Sequence, residues 1–272
     1  MGRAVSRRVA PCHDAEAVAG DTGSTMGLYR DEGVVLRTMR LGEADRIVTL
    51  LTRGRGKVRA VAKGVRKTKS RFGGRLEPLS HVALLLYEGR ELDVVTQVET
   101  IEQFRAVRED LDRLAKANAL LEVADQVAQE RHANLGLYRM LLGALRALAV
   151  HNSPLLVPAF FLKVLAGEGA HPVLDGCAGC DTPTTEIQAA GPMAFDLAEG
   201  GVLCPACAQR TSAPTVSFEA VDLMRRVLTG DLARALNHGD GPATVEVDRL
   251  VTRSLENHLE RRIRSVTVLN RW

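Results

Sequence analysis

Arg46-Ile47-Val48-Thr49-Leu50-Leu51-Thr52, then Arg53-Gly54-Arg55-Gly56, then Lys57-Val58-Arg59-Ala60-Val61-Ala62 read as strand, glycine-rich hairpin turn and strand. In the second strand Val58, Ala60 and Ala62 fall on one side, while Lys57, Arg59 and the following Lys63 fall on the other. One face is therefore apolar and the other cationic, the pattern of a half-buried strand. Moving outward, Val34-Val35-Leu36 opens an earlier strand, and Val82 to Tyr87 and Leu92 to Val98 supply two more through Glu88-Gly89-Arg90. Five short strands with a long basic connection, Gly64 to Leu76, fit a small five-stranded OB-type β-barrel.

Past Phe104 the period becomes helical. Val107, Leu111, Leu114, Leu121, Ala124 and Ala128 line one face of a long helix, and Leu137, Leu141, Leu145 and Leu148 line another. Ser153-Pro154 starts a further helix running through Leu165, and Phe218 to Leu228 and Val245 to Ile263 are again helical. The expected fold class is α+β multidomain: a barrel followed by an α-helical domain carrying an inserted four-cysteine zinc finger. The boundaries read as an extension (1–25), the barrel (26–105), a first helical part (106–172), the insert (173–212) and a second helical part (213–272).

The insert rests on two pairs, Cys177-Ala-Gly-Cys180 and Cys204-Pro-Ala-Cys207. Two intervening residues of turn let both thiolates of a pair face one ion at about 2.3 Å, so the spacing points to Zn²⁺. A redox-active pair is the competing reading. Four thiolates fill the coordination sphere and leave no position for water, so one structural ion is expected rather than a catalytic one. Cys12 has no partner in sequence and reads as incidental.

The chain has 272 residues, 46% hydrophobic and 25% charged, which excludes wholesale disorder. The longest uncharged stretch, Ala147 to Leu162, is broken by His151, Asn152, Pro154 and Pro158, and is shorter than the roughly 18 apolar residues of a membrane span. Residues 1–25 lack the apolar core of a signal peptide, although Met1-Gly2-Arg3-Ala4-Val5-Ser6 formally fits a myristoylation pattern. They read as a flexible tail, or as lying upstream of a working start at Met26. A cytoplasmic protein with no membrane partner is expected.

The net charge of +3 conceals a concentration of positive charge. Arg53, Arg55, Lys57, Arg59, Lys63, Arg66, Lys67, Lys69, Arg71 and Arg75 follow one another with no acidic residue between them. Setting those ten aside leaves 26 basic against 33 acidic residues, or −7 for the rest of the chain. Such asymmetry points to a polyanion docking at one place, with counterion release supplying the affinity. Inside the block only Phe72 could stack on a base, and it reads equally as a core plug behind Gly73-Gly74. Backbone-dominated, sequence-independent binding of single strands and duplex is the expectation.

No local catalytic signature occurs: Gly56-Lys57 is followed by Val58 rather than Ser or Thr, and Arg59 replaces the third glycine of a dinucleotide fingerprint. His132, His151 and His258 read as surface or capping residues. Glu43 and Asp45 could form an acid pair, but carboxylates in a turn more often face solvent.

In Tyr29-Arg30-Asp31-Glu32-Gly33-Val34-Val35-Leu36-Arg37, in Gly42-Glu43-Ala44-Asp45-Arg46-Ile47-Val48, and in Ala62 to Pro78, the chain resembles the RecO family of bacterial DNA-repair and recombination-mediator proteins. The resemblance implies an OB fold, a helical domain and an inserted zinc finger. It also implies a non-enzymatic activity: binding single- and double-stranded DNA, annealing complementary strands, and helping to load RecA, with RecR, onto strands coated by single-stranded-DNA-binding protein. The family's DNA surface lies on the barrel and carries over onto the basic strand and the Lys63 to Arg75 connection. The 25-residue extension and the sparse aromatics depart from the pattern, and not every member keeps the cysteines. The alternatives are a zinc-ribbon module whose barrel binds RNA, and an enzyme on nucleic acid with an acidic metal cluster.

Overall fold

Alternation between buried and half-buried positions runs unbroken from Gly56 to Ala62, and this strand sits third in a closed barrel. The computed structural model describes residues 27–67, 70 and 72–269. The extension, Cys12, Lys69 and Arg71 lie outside the described residues. Strands β1 (Leu28–Leu41), β2 (Asp45–Thr52), β3 (Gly56–Ala62), β4 (His81–Tyr87) and β5 (Asp93–Glu102) close in the order β1-β2-β3-β5-β4. All neighbours are antiparallel except β3 and β5, whose parallel pairs Ala60–Asp93 and Val61–Val94 seal the barrel. β1 begins six residues earlier than the Val34-Val35-Leu36 core suggests. Its first half pairs with β4 and its second half with β2, so one strand serves both neighbours.

Val35, Val48, Leu50, Ala60 and Leu86 fill the barrel, with Phe72 and Leu76 plugging it. Phe72 is 1% exposed, which decides between its two readings: it is a core plug, and no face of the ring is open for a base to stack on. Burying such a side chain stabilises by about 1.5–3 kcal/mol.

The helical region departs from the expected single long helix. Phe104 takes a left-handed conformation (φ 48°), and a single turn α1 (Arg105–Arg108) precedes α2 (Leu111–Val127). Asp110 caps α2 by accepting from the Arg113 amide. Leu111, placed by periodicity on the apolar face, is instead 84% exposed, because the first helical residue points away from the core. α3 (Leu135–Val150) is capped by Asn134, and α4 (Leu156–Gly167) starts after a turn containing Ser153-Pro154, two residues later than expected. α7 (Phe218–Thr229), α8 (Leu232–Leu236), α9 (Pro242–Leu259) and α10 (Arg264–Leu269) complete this region once the insert has intervened. α9 stops four residues short of Ile263 because Glu260 turns left-handed.

The insert contains α5 (Thr184–Ala190), β6 (Met193–Asp196), β7 (Gly201–Leu203), α6 (Pro205–Ala208) and β8 (Thr215–Val216), with a three-stranded sheet ordered β7-β6-β8. Its Ile187, Met193, Phe195, Val202 and Leu203 are buried in the same apolar cluster as the helices. The insert thus has apolar packing beyond its cysteines, more than its composition suggested. No helix is long and apolar enough to cross a membrane among the described residues.

Candidate nucleic-acid interface and four-cysteine centre

The basic block falls into two groups, one with carboxylates at ion-pair distance and one without. Arg53 lies 2.9 Å from Glu32, Arg55 3.1 Å from Glu88, and Arg59 3.8 Å from Glu130. Lys57 reaches across to α2, where its Nζ donates to the Asp125 carbonyl at 2.6 Å. Arg37 adds a 2.6 Å pair with the same Asp125. The expectation that the whole cationic face of β3 is left unneutralised is therefore corrected. Asp125 and Glu130 face Lys57 and Arg59 on β3, while Glu32 and Glu88 face Arg53 and Arg55 in the turn before it.

Backbone contacts explain why. The Lys57 amide donates to the Gln129 carbonyl, and the Arg131 amide donates back to the Lys57 carbonyl at 2.9 Å. Gly56 makes this possible: its φ is +64°, and a Cβ there would lie 1.8 Å from the His132 carbonyl oxygen. Beside this seam Asp93 is buried, accepting from Arg131 at 2.9 Å and from the Tyr29 hydroxyl, while Arg55 lies 3.8 Å from the Tyr29 ring centroid. Burial, with the Asp93 hydrogen bond adding to it, raises the Tyr29 hydroxyl far above its ordinary pKa.

Beyond β3 the picture reverses. Lys63, Arg66 and Lys67 are exposed, and no described carboxylate stands within ion-pair distance of any of them. Their loop is nevertheless held in place. The Gly64 amide donates to the Asp45 carboxylate at 2.7 Å, and the Arg66 amide donates to the Ala44 carbonyl at 3.0 Å. The Arg66 guanidinium also donates to the Glu43 carbonyl at 2.9 Å, which leaves its positive charge uncancelled. Asp45 is thus a loop anchor, not half of a catalytic acid pair. Arg75 is exposed at the 3-10 helix Gly73–Leu76 and donates to the Phe72 carbonyl at 3.3 Å.

Sequence reasoning missed Arg40. It is exposed near the end of β1, directly opposite Arg46, whose own partner across the next ladder is Ala62. Arg40 therefore stands on the flank where Lys63 begins, with no described carboxylate in ion-pair range. Glu43 and Asp45 separate it from the block in sequence, so a search for uninterrupted basic runs passes over it, and no alternation marks it, since Met39, Arg40 and Leu41 are all exposed.

The four predicted metal ligands do come together. The Sγ atoms of Cys177, Cys180, Cys204 and Cys207 all lie within 4.8 Å of one another. A tetrahedron with arms of about 2.3 Å has edges of about 3.8 Å, and the Cys180 and Cys204 sulfurs are 3.7 Å apart. The Cys204 amide donates to the Cys177 sulfur at 3.3 Å, and the Cys207 amide donates to the Cys204 sulfur at 3.5 Å. A Cβ on Gly179 would stand 3.1 Å from the Cys207 sulfur, so a glycine is what lets the first turn close over the second pair. Thr182, through its hydroxyl and its backbone, lowers the Cys180 thiol to about 6. Hydrogen bonding to Cys204, and then to Cys180 and Cys177, pushes Cys207 up to about 12, the mark of sulfurs crowded together. A divalent cation would turn that crowding into attraction, and the all-sulfur donor set suits Zn²⁺.

An OB-type barrel with an uncancelled basic loop, joined to helices that carry a four-cysteine centre, defines a two-part protein with separate basic and cysteine-clustered regions. The family model described as "Recombination protein O N terminal" matches residues 26–104, and "Recombination protein O C terminal" matches residues 108–267. The chain is 45% identical over 250 residues to the DNA repair protein RecO of Frankia casuarinae, covering 90% of this chain and all of that protein. It is 44% identical over 254 residues to the DNA repair protein RecO of Bifidobacterium adolescentis and 44% identical over 248 residues to that of Nocardioides sp., with the same coverage. The chain belongs to the recombination protein O family.

Proposed function

We propose that the protein is a non-enzymatic DNA-repair and recombination mediator that binds DNA through Lys63, Arg66 and Lys67, flanked by Arg40 and Arg75. The observation that carries this reading is the contrast within the basic block. The cations of the β2–β3 turn and of β3 have carboxylate partners, whereas the loop cations are held in place by backbone contacts without losing their charge. A fixed cluster of uncancelled charge attracts phosphates and releases their counterions, on single strands and duplex alike. Two complementary strands gathered on such a surface repel each other less and meet at a raised effective concentration, so they anneal without a nucleotide cofactor. Membership of the family supports the further expectation that RecR, single-stranded-DNA-binding protein and, indirectly, RecA are partners, in the cytoplasm at the nucleoid.

One Zn²⁺ held by Cys177, Cys180, Cys204 and Cys207 would staple the insert against the helices, a structural service. The decisive experiment follows annealing of complementary oligonucleotides by fluorescence, measures zinc on the same sample, and adds an RNA oligomer as competitor. Annealing that is salt-sensitive and Mg²⁺-independent supports the reading. Failure to bind DNA, or cleavage of it with Mg²⁺, overturns it.

A further inference from the structure

A groove of about 570 Å³ opens beside the basic loop, between the 3-10 helix Gly73–Leu76 and the end of β5. Gly73, Gly74 and Arg75 form one wall; Val98, Glu99, Thr100 and Gln103 supply the other side. The ladder between β4 and β5 steps from His81–Glu102 to Val82–Thr100, so Ile101 is bulged out. A bulge bends its strand and re-aims the side chains around it, here bringing Glu99, Thr100 and Gln103 to one groove.

Gly74 is the informative residue. Its φ is not in the left-handed range, and a Cβ added to it would meet no atom within 4 Å. Neither backbone conformation nor internal packing asks for glycine there. What glycine provides is bare peptide surface open to the groove. With Gly73 it makes a flat wall, and Val98 offers an apolar contact opposite. The polar lining differs from that of a phosphate seat, since Glu99 would repel a phosphate but accepts hydrogen bonds from an amino group. Thr100 and Gln103 offer a hydroxyl and an amide, neither engaged by another described side chain.

We propose that this groove seats one unpaired base of a single strand tracking along the basic loop, and that it prefers a base with an exocyclic amino group. The inference rests on the DNA-binding reading above and deepens it: the phosphates hold to Lys63, Arg66 and Lys67 while one base turns inward. Cytosine presents an N4 donor to Glu99, whereas thymine presents its O4 acceptor to the same carboxylate. Base edges of single strands are read in this way, and duplex keeps them paired and out of reach.

The test measures fluorescence anisotropy with oligo-dC and oligo-dT at neutral pH and matched salt. Wild-type protein should bind oligo-dC about three- to tenfold more tightly, the range of one net hydrogen bond. Gly74→Val replaces the bare wall of the groove with a protruding side chain and should bring oligo-dC down to the oligo-dT level with an unchanged Tm. Glu99→Ala should raise affinity for both by removing a negative charge, yet abolish their ratio. Equal binding of the two oligomers by wild type, or an unaltered ratio in both variants, overturns the base seat while leaving the DNA-binding reading intact. Binding of neither oligomer by wild type overturns both.

Discussion

The Nζ of Lys57 on β3 lies 2.6 Å from the main-chain carbonyl oxygen of Asp125 on α2, and 3.6 Å from that residue's carboxylate. A barrel cation is thereby spent on holding the helices. The Lys57 side chain is only 16% exposed, with its Nζ turned toward α2. Lys57→Met removes the donor to a partly buried acceptor and should cost about 1–3 kcal/mol of stability. DNA affinity should stay within about twofold. Urea denaturation and anisotropy on the same preparation check both halves, and a large loss of affinity without a loss of stability would contradict the division of the basic block.

The complementary change is Lys63→Glu, Arg66→Glu and Lys67→Glu together. These side chains are exposed and make no described ion pair, so the fold should survive. Single-strand binding should weaken strongly, and the slope of log K against log salt should flatten by about two, given about 0.7 per phosphate contact. An unchanged slope in the triple variant would remove the loop from the interface.

Phe72 separates packing from recognition. As a 1% exposed plug of the barrel, it should cost about 3–5 kcal/mol when cut back to Ala. Phe72→Leu, which keeps most of the apolar volume, should bind DNA as the wild type does. If Phe72→Leu instead lost affinity at full stability, the ring would have to act on DNA directly.

Cys177→Ser combined with Cys204→Ser takes one sulfur from each pair and should abolish binding of about one equivalent of Zn²⁺. The sheet β7-β6-β8 joins the helical core through Phe195 and Val202, so loosening should concentrate on the cysteine turns and spare the barrel. Metal analysis with hydrogen exchange of residues 173–212 provides the readout. A variant with native protection and no metal would contradict the structural role.

His81 supplies a pH signature. Its Nε2 lies 2.7 Å from the Tyr138 hydroxyl where the barrel meets α3, and its Nδ1 is buried without a hydrogen-bond partner. Burial holds the ring below its ordinary pKa of about 6.5. Below that pH the unfolded chain takes up a proton that the folded ring refuses, so stability present at pH 7 declines as pH falls through this range. Tm measured across it should fall less steeply for His81→Gln than for wild type. Parallel curves would assign the acid loss to other groups.

Much of the architecture was legible from residue order because strand alternation and thiol spacing are local. β3 keeps its predicted faces, and the two C-x-x-C turns close on each other as their spacing demands. Where the reading erred, a local backbone break or a neighbour across the strands intervened. Leu111 lost its place on the apolar face when a left-handed Phe104 and an Asp110 cap broke the helix ahead of it. Arg40 escaped notice because proximity to Lys63 runs through two strand ladders rather than along the chain.

Chain order alone indicated the barrel strands and the gathering of the four cysteines, since each rests on alternation or spacing that a few neighbouring residues dictate. Which cations stand beside a carboxylate was settled by three-dimensional packing. Coulomb partners are chosen by distance in space, and Glu88, Asp125 and Glu130 reach Arg55, Lys57 and Arg59 across 33 to 71 residues of chain.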